Sequence, residues 1–374
     1  MIALLTLIFI QKSLFLFKRW NKYIIFLKIK KKTTIKDIAN VLGITPSAVS
    51  KALNDHPRIS KETKLAVKQI AKNLNYQPNH LASALRKGKS NLVGVIVPRT
   101  TSHFFSSVLE NIEKILNKEG YNVIVTQSNE SYEKECRNID TLLFTQVDGI
   151  IASLANETVN FSHFEKIKAK GIPLILYDRG DNDIGVDYIG IDDYDSSFMV
   201  VEHLINQNCK RIAHIGGHRH TRIFKNRIVG FTDALKKHNL PFENDLILEC
   251  DLSLDDGRKG MEKLLKLAKL PDAVYAASDY AALGALQVIQ ENNIKVPEDI
   301  ALVGFSNEPF TSLVSPSITS VNQHSNKIGE IAAKTFIKRI NQDNWTPKLT
   351  KNILKSELIV RESSNKENLF HNKH

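Results

Sequence analysis

Cysteine is scarce in this chain, which argues against a fold held together by disulfide bonds. Three cysteines, Cys136, Cys209 and Cys250, are spread over 374 residues without a CxxC pair. Because this spacing suits neither a disulfide framework nor a zinc site, we predict reduced thiols in a cytoplasmic protein. With 42% hydrophobic and 24% charged residues, the chain is long enough to form two or three units that each have a core.

Catalytic motifs are absent as well. The sequence contains no GxxxxGKS, GxxxxGKT, GxSxG or HExxH pattern, so it offers no candidate for the chemistry of these motifs. His214, His218 and His220, in the stretch HIGGHRH, make a metal site conceivable, but no cysteine or carboxylate completes a recognisable ligand spacing. We therefore predict a protein that is not an enzyme and that uses no metal or cofactor.

The apolar N-terminus lacks the features of a secretion signal. In residues 1–32 the runs MIALLTLIFI and LFLF are interrupted by Gln11-Lys12-Ser13, no basic region precedes them and no small-residue cleavage site follows. The broken run is shorter than the roughly 20 residues that a membrane-spanning helix needs. We interpret residues 1–32 as a disordered extension, translated from an upstream start codon. The alternative is a membrane-lying or anchoring helix with a positive flank.

Positive charge is concentrated in the first quarter of the chain. Residues 1–90 carry eighteen lysines and arginines against three carboxylates, a net charge of +15, which leaves −4 for the rest of a chain whose total is +11. A basic N-terminal region joined to a mildly acidic remainder indicates that one module binds a polyanion and the other does not.

A helix-turn-helix pattern lies within this basic region. In TTIKDIANVLGITPSAVSKALN, residues 33–54, apolar residues recur at helical spacing, Gly43 interrupts them and a second helix starts at Pro46. Thr34 and Asp37 fit a capping box, and Ser60 can cap a third helix through Leu74. In that helix we expect four residues to face inward: Leu65, Ala66, Ile70 and Leu74. A basic unit of this kind is typical of nucleic-acid binding.

Six motifs, in order along the chain, resemble the lac/gal repressor family of bacterial transcription regulators. They are TIKDIA, VSxxLN at 49–54, SxxT at 60–63, LNYxPN at 74–79, LAxxL at 81–85 and VGVIVP at 93–98. The resemblance covers about residues 33–362. It implies an all-α, lambda-repressor-like headpiece at 33–78, followed by a hinge helix and linker at 79–90.

The resemblance also implies which residues contact DNA. In the headpiece these are Thr34, Ser47, Ala48, Ser50, Lys51 and Asn54, and in the hinge Asn79, Ala82 and Leu85. Lys51 can donate to guanine O6 and N7, although a phosphate contact is the alternative. Leu85 corresponds to the leucine that wedges into the minor groove; the alternative is an ordinary linker residue.

From Leu92 onward, short apolar runs alternate with helical stretches, which predicts an α/β body with two parallel sheets covered on both faces. Ligands of such folds bind at the carboxyl ends of the strands. The resemblance implies a two-lobed body like that of periplasmic binding proteins. The expected effector-binding N-lobe is 91–191 plus 322–350, and the expected C-lobe is 192–321 plus 351–362. From its polar composition we expect a disordered tail at 363–374.

By the same resemblance, nine residues near strand ends match effector-contacting positions. They are Phe104, Phe105, Asp178, Arg179, Arg227, Ser278, Asp279, Ser306 and Asn307. The two phenylalanines can stack on a sugar or pack the lobes, and Arg227 equally suits an anionic ligand. Many family members have an aspartate pair after VGF, whereas this chain has Ser306-Asn307-Glu308.

The combined prediction is a cytoplasmic DNA-binding regulator. We expect a homodimer, with a tetramer left open, that represses carbohydrate-utilisation genes from a pseudo-palindromic double-stranded DNA operator. Its small-molecule effector would be a sugar or sugar derivative. The alternative function is a membrane-anchored solute-sensing receptor that uses the apolar N-terminus.

Overall fold

Two units make up the chain, Met1–Ser83 and Ala84–His374. The computed structural model describes residues 33–77, 89–180, 184–341 and 349–366. The N-terminal extension, the hinge segment with Asn79, Ala82 and Leu85, and most of the C-terminal tail lie outside the described residues.

Three helices form the described part of the first unit: α1 (Ile35–Leu42), α2 (Pro46–Leu53) and α3 (Lys61–Asn73). Asp37 Oδ2 accepts from both Thr34 N and Thr34 Oγ1 at 2.7 Å, and Gly43 ends α1 with a left-handed φ of 63°. Thr45 Oγ1 caps α2 by accepting from Ala48 N at 3.1 Å. The helix-turn-helix prediction is therefore confirmed, with both helix starts explained by local hydrogen bonds.

The buried face of α3 differs from the one expected. Val67 and Ala71 lie in the core of the first unit, whereas Leu65 is 70% exposed. Val67 and Ala71 are four residues apart and therefore lie on one face of the helix. They pack with Ile38, Ala39, Val49 and Ala52 of the first two helices.

The described part of the second unit contains two six-stranded sheets. The first has the order β11-β5-β4-β3-β1-β2 and is entirely parallel. Its strands are β1 (Leu92–Val97), β2 (Asn122–Gln127), β3 (Gly149–Ala152), β4 (Leu174–Tyr177), β5 (Asp187–Ile191) and β11 (Lys351–Leu354). Its helices are α4 (His103–Lys118), α5 (Tyr132–Phe144), α6 (Ser162–Ala169) and α11 (Ser325–Ile340). We call this sheet and its helices the first lobe.

The second lobe repeats the design. Its sheet has the order β12-β10-β9-β8-β6-β7, and only the β10–β12 pair is antiparallel. Its strands are β6 (Ile212–Gly216), β7 (Ile247–Glu249), β8 (Ala273–Ala276), β9 (Ala301–Phe305), β10 (Thr319–Asn322) and β12 (Glu357–Ile359). Its helices are α7 (Asp193–Asn206), α8 (Arg222–Lys237), α9 (Leu254–Leu264) and α10 (Asp279–Glu291). The predicted fold class is confirmed.

Apolar strands explain why both lobes bury their sheets. All residues of the central strands β3, β4, β6, β8 and β9 are buried, as expected for parallel strands with helices on both faces. The edge strand β2 has only half-buried and exposed positions. Helix pairs α4–α11, α7–α8 and α9–α10 pack closely.

The chain crosses between the lobes three times, and the last crossing lies later than the sequence suggests. We expected 351–362 in the C-lobe, but β11 pairs with β5 of the first sheet, Lys351 opposite Tyr188. The crossing therefore falls at residues 355–356, between β11 and β12. The start of the expected disordered tail is also packed: Ser363 Oγ donates to Leu302 O at 2.6 Å.

Over the part of the chain that the structure describes, the helices are too short or too polar to cross a bilayer.

Candidate functional site

A cavity of about 200 Å³ lies between the two lobes. Its walls come from strand ends: Asp178 and Arg179 follow β4, Ala277 and Ser278 follow β8, and Ser306 follows β9. Carboxyl ends of parallel strands meet at one edge of a sheet, so two facing sheets bring these residues together. The other lining residues are Arg99, Thr101, Ser102, Phe104, Phe105, Glu130, Asn156, Ile223, Phe224, Arg227, Asp251, Leu252, Ser253, Leu254, Tyr280, Glu308 and Gln323.

Seven of the nine expected effector-contacting residues line this cavity. They are Phe104, Phe105, Asp178, Arg179, Arg227, Ser278 and Ser306. Asp279 and Asn307 do not. The carboxylate of Asp279 is fully buried and accepts from Ser320 Oγ at 2.6 Å and Glu308 N at 2.7 Å, and burial raises its pKa to about 7. Asn307 Oδ1 accepts from Arg361 Nη2 at 2.7 Å.

The first-lobe wall carries a compensated group of charges. Arg179 Nη1 donates to Glu130 Oε2 at 2.5 Å, and Arg99 Nε lies 3.1 Å from Glu130 Oε1. Burial alone would raise the pKa of Glu130, but Arg179 and Arg99 hold it below its ordinary value. The Arg179 guanidinium also lies 5.7 Å from the Phe105 ring centroid. Glu130 is thus a charged acceptor that fixes both arginines.

Asp178 is the titratable group of this wall. It adopts a left-handed backbone with φ 56° at the end of β4, and its carboxylate lies 4.0 Å from Arg179 Nε. Burial raises the Asp178 pKa to about 6, and the nearby Arg179 and Arg227 oppose that rise. Such a carboxylate can accept hydrogen bonds from ligand hydroxyls when it is ionised.

The second-lobe wall is built on Arg227. Its Nη1 donates to Ala277 O at 3.1 Å, and its guanidinium stacks 3.6 Å from the Phe305 ring centroid. The neighbouring Asp193 accepts from Arg227, and although burial raises the Asp193 pKa, Arg227 opposes the rise. Arg227 is therefore paired inside the lobe while one side of it faces the cavity.

The aromatic residues both pack and line the cavity. Phe104 and Phe105 lie in the first turn of α4, not in the loop before it. They are 4% and 6% exposed, and their rings form an edge-to-face pair with centroids 5.1 Å apart. Phe105 also contacts Tyr177 edge to face. Both rings thus form a fixed apolar part of the wall.

Two cavity residues that the sequence did not single out carry polar atoms without a hydrogen-bond partner in the described structure: Asn156 Oδ1 and Gln323 Oε1. The residues are 5% and 4% exposed. Since buried polar atoms are normally paired, such atoms facing a cavity are candidates for ligand contacts. Gln323 follows β10 directly, so the strand-end rule could have found it, whereas Asn156 lies four residues beyond β3.

The three histidines of HIGGHRH do not form one cluster, although the rings of His218 and His220 stack with their centroids 5.6 Å apart. His214 is buried in β6, where its Nδ1 lies 3.0 Å from Tyr275 O, and burial lowers its pKa to about 3. His218 lies between Asp251 and Glu249, at 2.9 and 3.3 Å. His220 Nε2 hydrogen-bonds to Asn156 O of the opposite lobe. Within the described residues, no three His, Cys, Asp or Glu side chains are arranged so that they could hold a metal ion.

In the first unit, α2 presents a polar surface. Ser47, Lys51 and Asn54 are exposed, and Ala48 and Ser50 are half-buried. Asn54 Nδ2 donates to Ser50 O at 2.7 Å, which holds the end of the helix. Thr34 is exposed at the start of α1. These side chains share one basic unit, and a second helix of this kind can enter the major groove of DNA.

A helix-turn-helix unit, followed by a two-lobed α/β unit with a cavity between its lobes, defines the class of ligand-controlled transcription regulators. The comparisons agree. The profile of bacterial regulatory proteins of the lacI family matches residues 34–79, and that of the periplasmic binding protein-like domain matches 201–364. Catabolite control protein A of Priestia megaterium is 30% identical over 311 residues, which cover 83% of this chain and 93% of that protein. The chain belongs to the lacI family and is a DNA-binding transcription regulator.

Other relatives cover the chain equally well. The HTH-type transcriptional repressor PurR of Histophilus somni is 29% identical over 330 residues, covering 88% of this chain and 98% of the relative. A solved complex of the transcriptional regulator CelR with cellobiose is 26% identical, has a TM-score of 0.67 and covers 89% of this chain and all of that one (100%).

Proposed function

We propose that this regulator represses carbohydrate-utilisation genes and that a sugar or sugar derivative, bound in the cavity, changes its affinity for the operator. The observation that carries the proposal is the composition of the cavity wall. Carboxylate, guanidinium and amide groups lie beside apolar aromatic rings, a combination that suits hydroxyl groups on one side of a sugar and the ring face on the other. The cellobiose complex of the relative CelR supports the same ligand class.

The effector would act by favouring one arrangement of the lobes. Both lobes supply lining residues, and direct hydrogen bonds already cross the cleft, among them Tyr280 Oη to Thr101 O at 3.2 Å. A ligand that binds groups on both lobes stabilises the closed arrangement by its difference in affinity. By linkage, operator binding and effector binding then change one another by the same factor.

For the DNA side, we propose that a homodimer contacts a pseudo-palindromic operator. The proposed contacts are Thr34, Ser47, Ala48, Ser50, Lys51 and Asn54 of the headpiece, with Asn79, Ala82 and Leu85 of the hinge segment. Net charge supports the headpiece contacts, since seven lysines and arginines face three carboxylates in residues 33–77. Phosphate contacts would supply affinity, and the residues of α2 would supply base contacts.

A thermal-shift screen with sugars and sugar derivatives tests the effector assignment, because a ligand that binds only the folded state raises its apparent stability. We expect at least one sugar to raise the melting temperature and to change operator affinity. Asn156→Ala should reduce the shift, since Asn156 lines the cavity, whereas the exposed Asn117→Ala of α4 should not. A panel without any stabilising ligand would count against the carbohydrate assignment.

We also propose that the protein works in the cytoplasm, where operator DNA is accessible. Cell fractionation of the protein expressed from its native start tests this. A protein recovered in the supernatant supports the proposal. A membrane pellet that resists high salt would favour the anchored receptor instead.

A further inference from the structure

Glu308 connects the two lobes through hydrogen bonds to the start of a helix. It lies three residues after β9 in the second lobe and is 3% exposed. Its carboxylate accepts from Ser102 Oγ at 2.9 Å, His103 N at 3.1 Å and Phe104 N at 3.3 Å. All three donors belong to the first turn of α4 and its cap, in the first lobe.

The first N–H groups of a helix lack partners within the helix and carry partial positive charge, so they attract anions. Ser102 occupies the cap position of α4, but its side chain makes no capping hydrogen bond to the helix. Glu308 satisfies these donors from the opposite lobe. Its carboxylate therefore occupies the anion-attracting start of α4 in the cavity wall.

The backbone around Glu308 is held firmly. Glu308 N donates to the buried Asp279 carboxylate at 2.7 Å, and Glu308 O accepts from Thr311 Oγ1 at 2.7 Å. Asp279 is in turn fixed by Ser320 Oγ at 2.6 Å. This network explains why Asp279 lies outside the cavity: it positions the loop that delivers Glu308 to α4.

The arginines of the cavity wall are charge-compensated. Each arginine of the wall has a carboxylate partner: Arg99 and Arg179 pair with Glu130, and Arg227 pairs with Asp193. The lining amides with an unpartnered oxygen, Asn156 and Gln323, are uncharged acceptors that suit O–H or N–H donors.

We propose that Glu308 is a specificity-determining residue: by occupying the N-terminus of α4, its carboxylate restricts the cavity to uncharged, hydroxyl-bearing effectors and excludes phosphorylated or carboxylated ones. This inference rests on the proposed function in so far as the cavity is the effector site. It also gives a role to the Ser306-Asn307-Glu308 stretch, in which the sequence departs from the aspartate pair of many family members.

Inorganic phosphate is the probe for this proposal, titrated at constant ionic strength into the full-length protein. We expect wild type to show no phosphate-dependent rise in melting temperature. Glu308→Ala removes the resident carboxylate and should bind phosphate with an affinity at least about tenfold above the detection limit set by the wild-type titration, a gain of the size that a helix N-terminus provides. Glu262→Ala, which changes an exposed residue of α9 in the same lobe, should behave like wild type.

Glu308→Gln guards against a folding defect of the alanine variant. It keeps the size of the side chain but loses its charge, so the dianion should displace it and phosphate affinity should rise by less than in Glu308→Ala. Hydrogen exchange of the peptide containing His103 and Phe104 should slow with phosphate in both variants. Folded variants without this gain, or wild type that binds phosphate at this peptide, would overturn the proposal.

The phosphate experiment is independent of the effector screen. If no sugar binds but the Glu308 variants gain phosphate affinity, the carbohydrate assignment fails and the role of Glu308 in excluding anions stands. If a neutral sugar binds and the Glu308 variants gain no phosphate affinity, the carbohydrate assignment stands and the proposed role of Glu308 fails.

Discussion

Arg227 and Asp193 form an ion pair in which both side chains are 4% exposed, with Arg227 Nε and Nη2 at 2.9 and 2.8 Å from Asp193 Oδ1. Asp193 opens α7 and Arg227 lies within α8, so the pair joins two helices that pack against each other. The pair also compensates the charge of Arg227 beside the cavity. An anionic ligand, which the sequence left open for Arg227, would therefore meet an arginine whose charge is already balanced.

Asp193→Asn should destabilise the protein strongly. It leaves the Arg227 charge buried without its carboxylate partner, and breaking one side of a buried pair costs about 3–5 kcal/mol. Urea unfolding monitored by far-UV circular dichroism measures the loss in the free energy of unfolding. The exposed pair Lys259–Asp255, whose side chains are 72% and 77% exposed, provides the control: Lys259→Met should change stability by less than about 1 kcal/mol. Equal losses of unfolding free energy in the two variants would show that burial does not make the Arg227–Asp193 pair more important for stability than an exposed pair.

Asp178 should make effector binding depend on pH. Its pKa is raised to about 6, chiefly by burial, so the ionised form that accepts hydroxyl hydrogen bonds prevails only above that pH. Affinity for a sugar should therefore increase as pH rises through about 6. Calorimetric titrations below and above this pKa measure the effect. Asp178→Asn should flatten the profile, and an unchanged profile in that variant would assign the pH dependence to another group.

The raised pKa of Asp178 should also make the stability of the folded protein depend on pH. Because the folded-state pKa of Asp178 lies above its ordinary value of 3.8, the folded state binds the proton more tightly than the unfolded state. The contribution of Asp178 to stability therefore falls as pH rises from about 4 to about 6 and stays low above it. Asp178→Asn should be more stable than wild type at neutral pH, with the difference shrinking in acid. A variant less stable than wild type at neutral pH would show that the carboxylate is needed for the fold.

Two helical glycines offer a matched test of close packing. A Cβ at Gly230 of α8 would lie 2.3 Å from the backbone oxygen of Tyr194 in α7, whereas a Cβ at Gly260 of α9 would meet only side chains, the nearest atom being a methyl of Ile215 at 3.2 Å. Gly230→Ala should cost about 1–3 kcal/mol because two helix backbones must separate. Gly260→Ala should be neutral or stabilising, since alanine has the higher helix propensity. Thermal unfolding of both variants measures the two changes in stability. Similar losses of stability in the two variants would show that α7 and α8 can move apart to accommodate the new methyl group.

The regular elements were predictable because their sequence signals are local. Continuous apolar runs predicted the central strands, the capping residues Thr34 and Ser60 predicted the starts of α1 and α3, and Pro46 predicted the start of α2. Short amphipathic elements carry weaker sequence signals: α6 has eight residues, and β11 alternates between exposed and half-buried positions at the edge of its sheet. The predicted inward face of α3 was only partly right: Ile70 packs against the core, but the leucines do not, and only packing against α1 and α2 selects Val67 and Ala71.

The rule that ligands bind just beyond strand ends predicted only part of the cavity, since Phe104, Phe105 and Arg227 also line it but lie within helices and were predicted from the resemblance. Arg179, Ser278 and Ser306 satisfy that rule. Asp279 and Asn307 are one residue further on, where the chain turns back into the lobe, so their side chains serve the loop instead. Glu130 and Glu308 could not be found this way, because their importance comes from partners 49 and more than 200 residues away in the sequence.

Lys51 should control which DNA sequence is bound. It is exposed on α2 beside Ser47 and Ala48, where a bidentate lysine contact to guanine would contribute about 1–3 kcal/mol of discrimination. Lys51→Ala should therefore weaken binding to a selected operator by roughly 10- to 100-fold while scrambled DNA is bound nearly as before. The control is Lys72→Ala, which changes an exposed lysine in the last turn of α3. Any change in affinity that it causes should be the same for operator and scrambled DNA. Fluorescence anisotropy with operator and scrambled duplexes at several salt concentrations separates the two cases. If Lys51→Ala weakened both DNAs equally and reduced the salt dependence, Lys51 would be a phosphate contact and base reading would rest on its neighbours in α2.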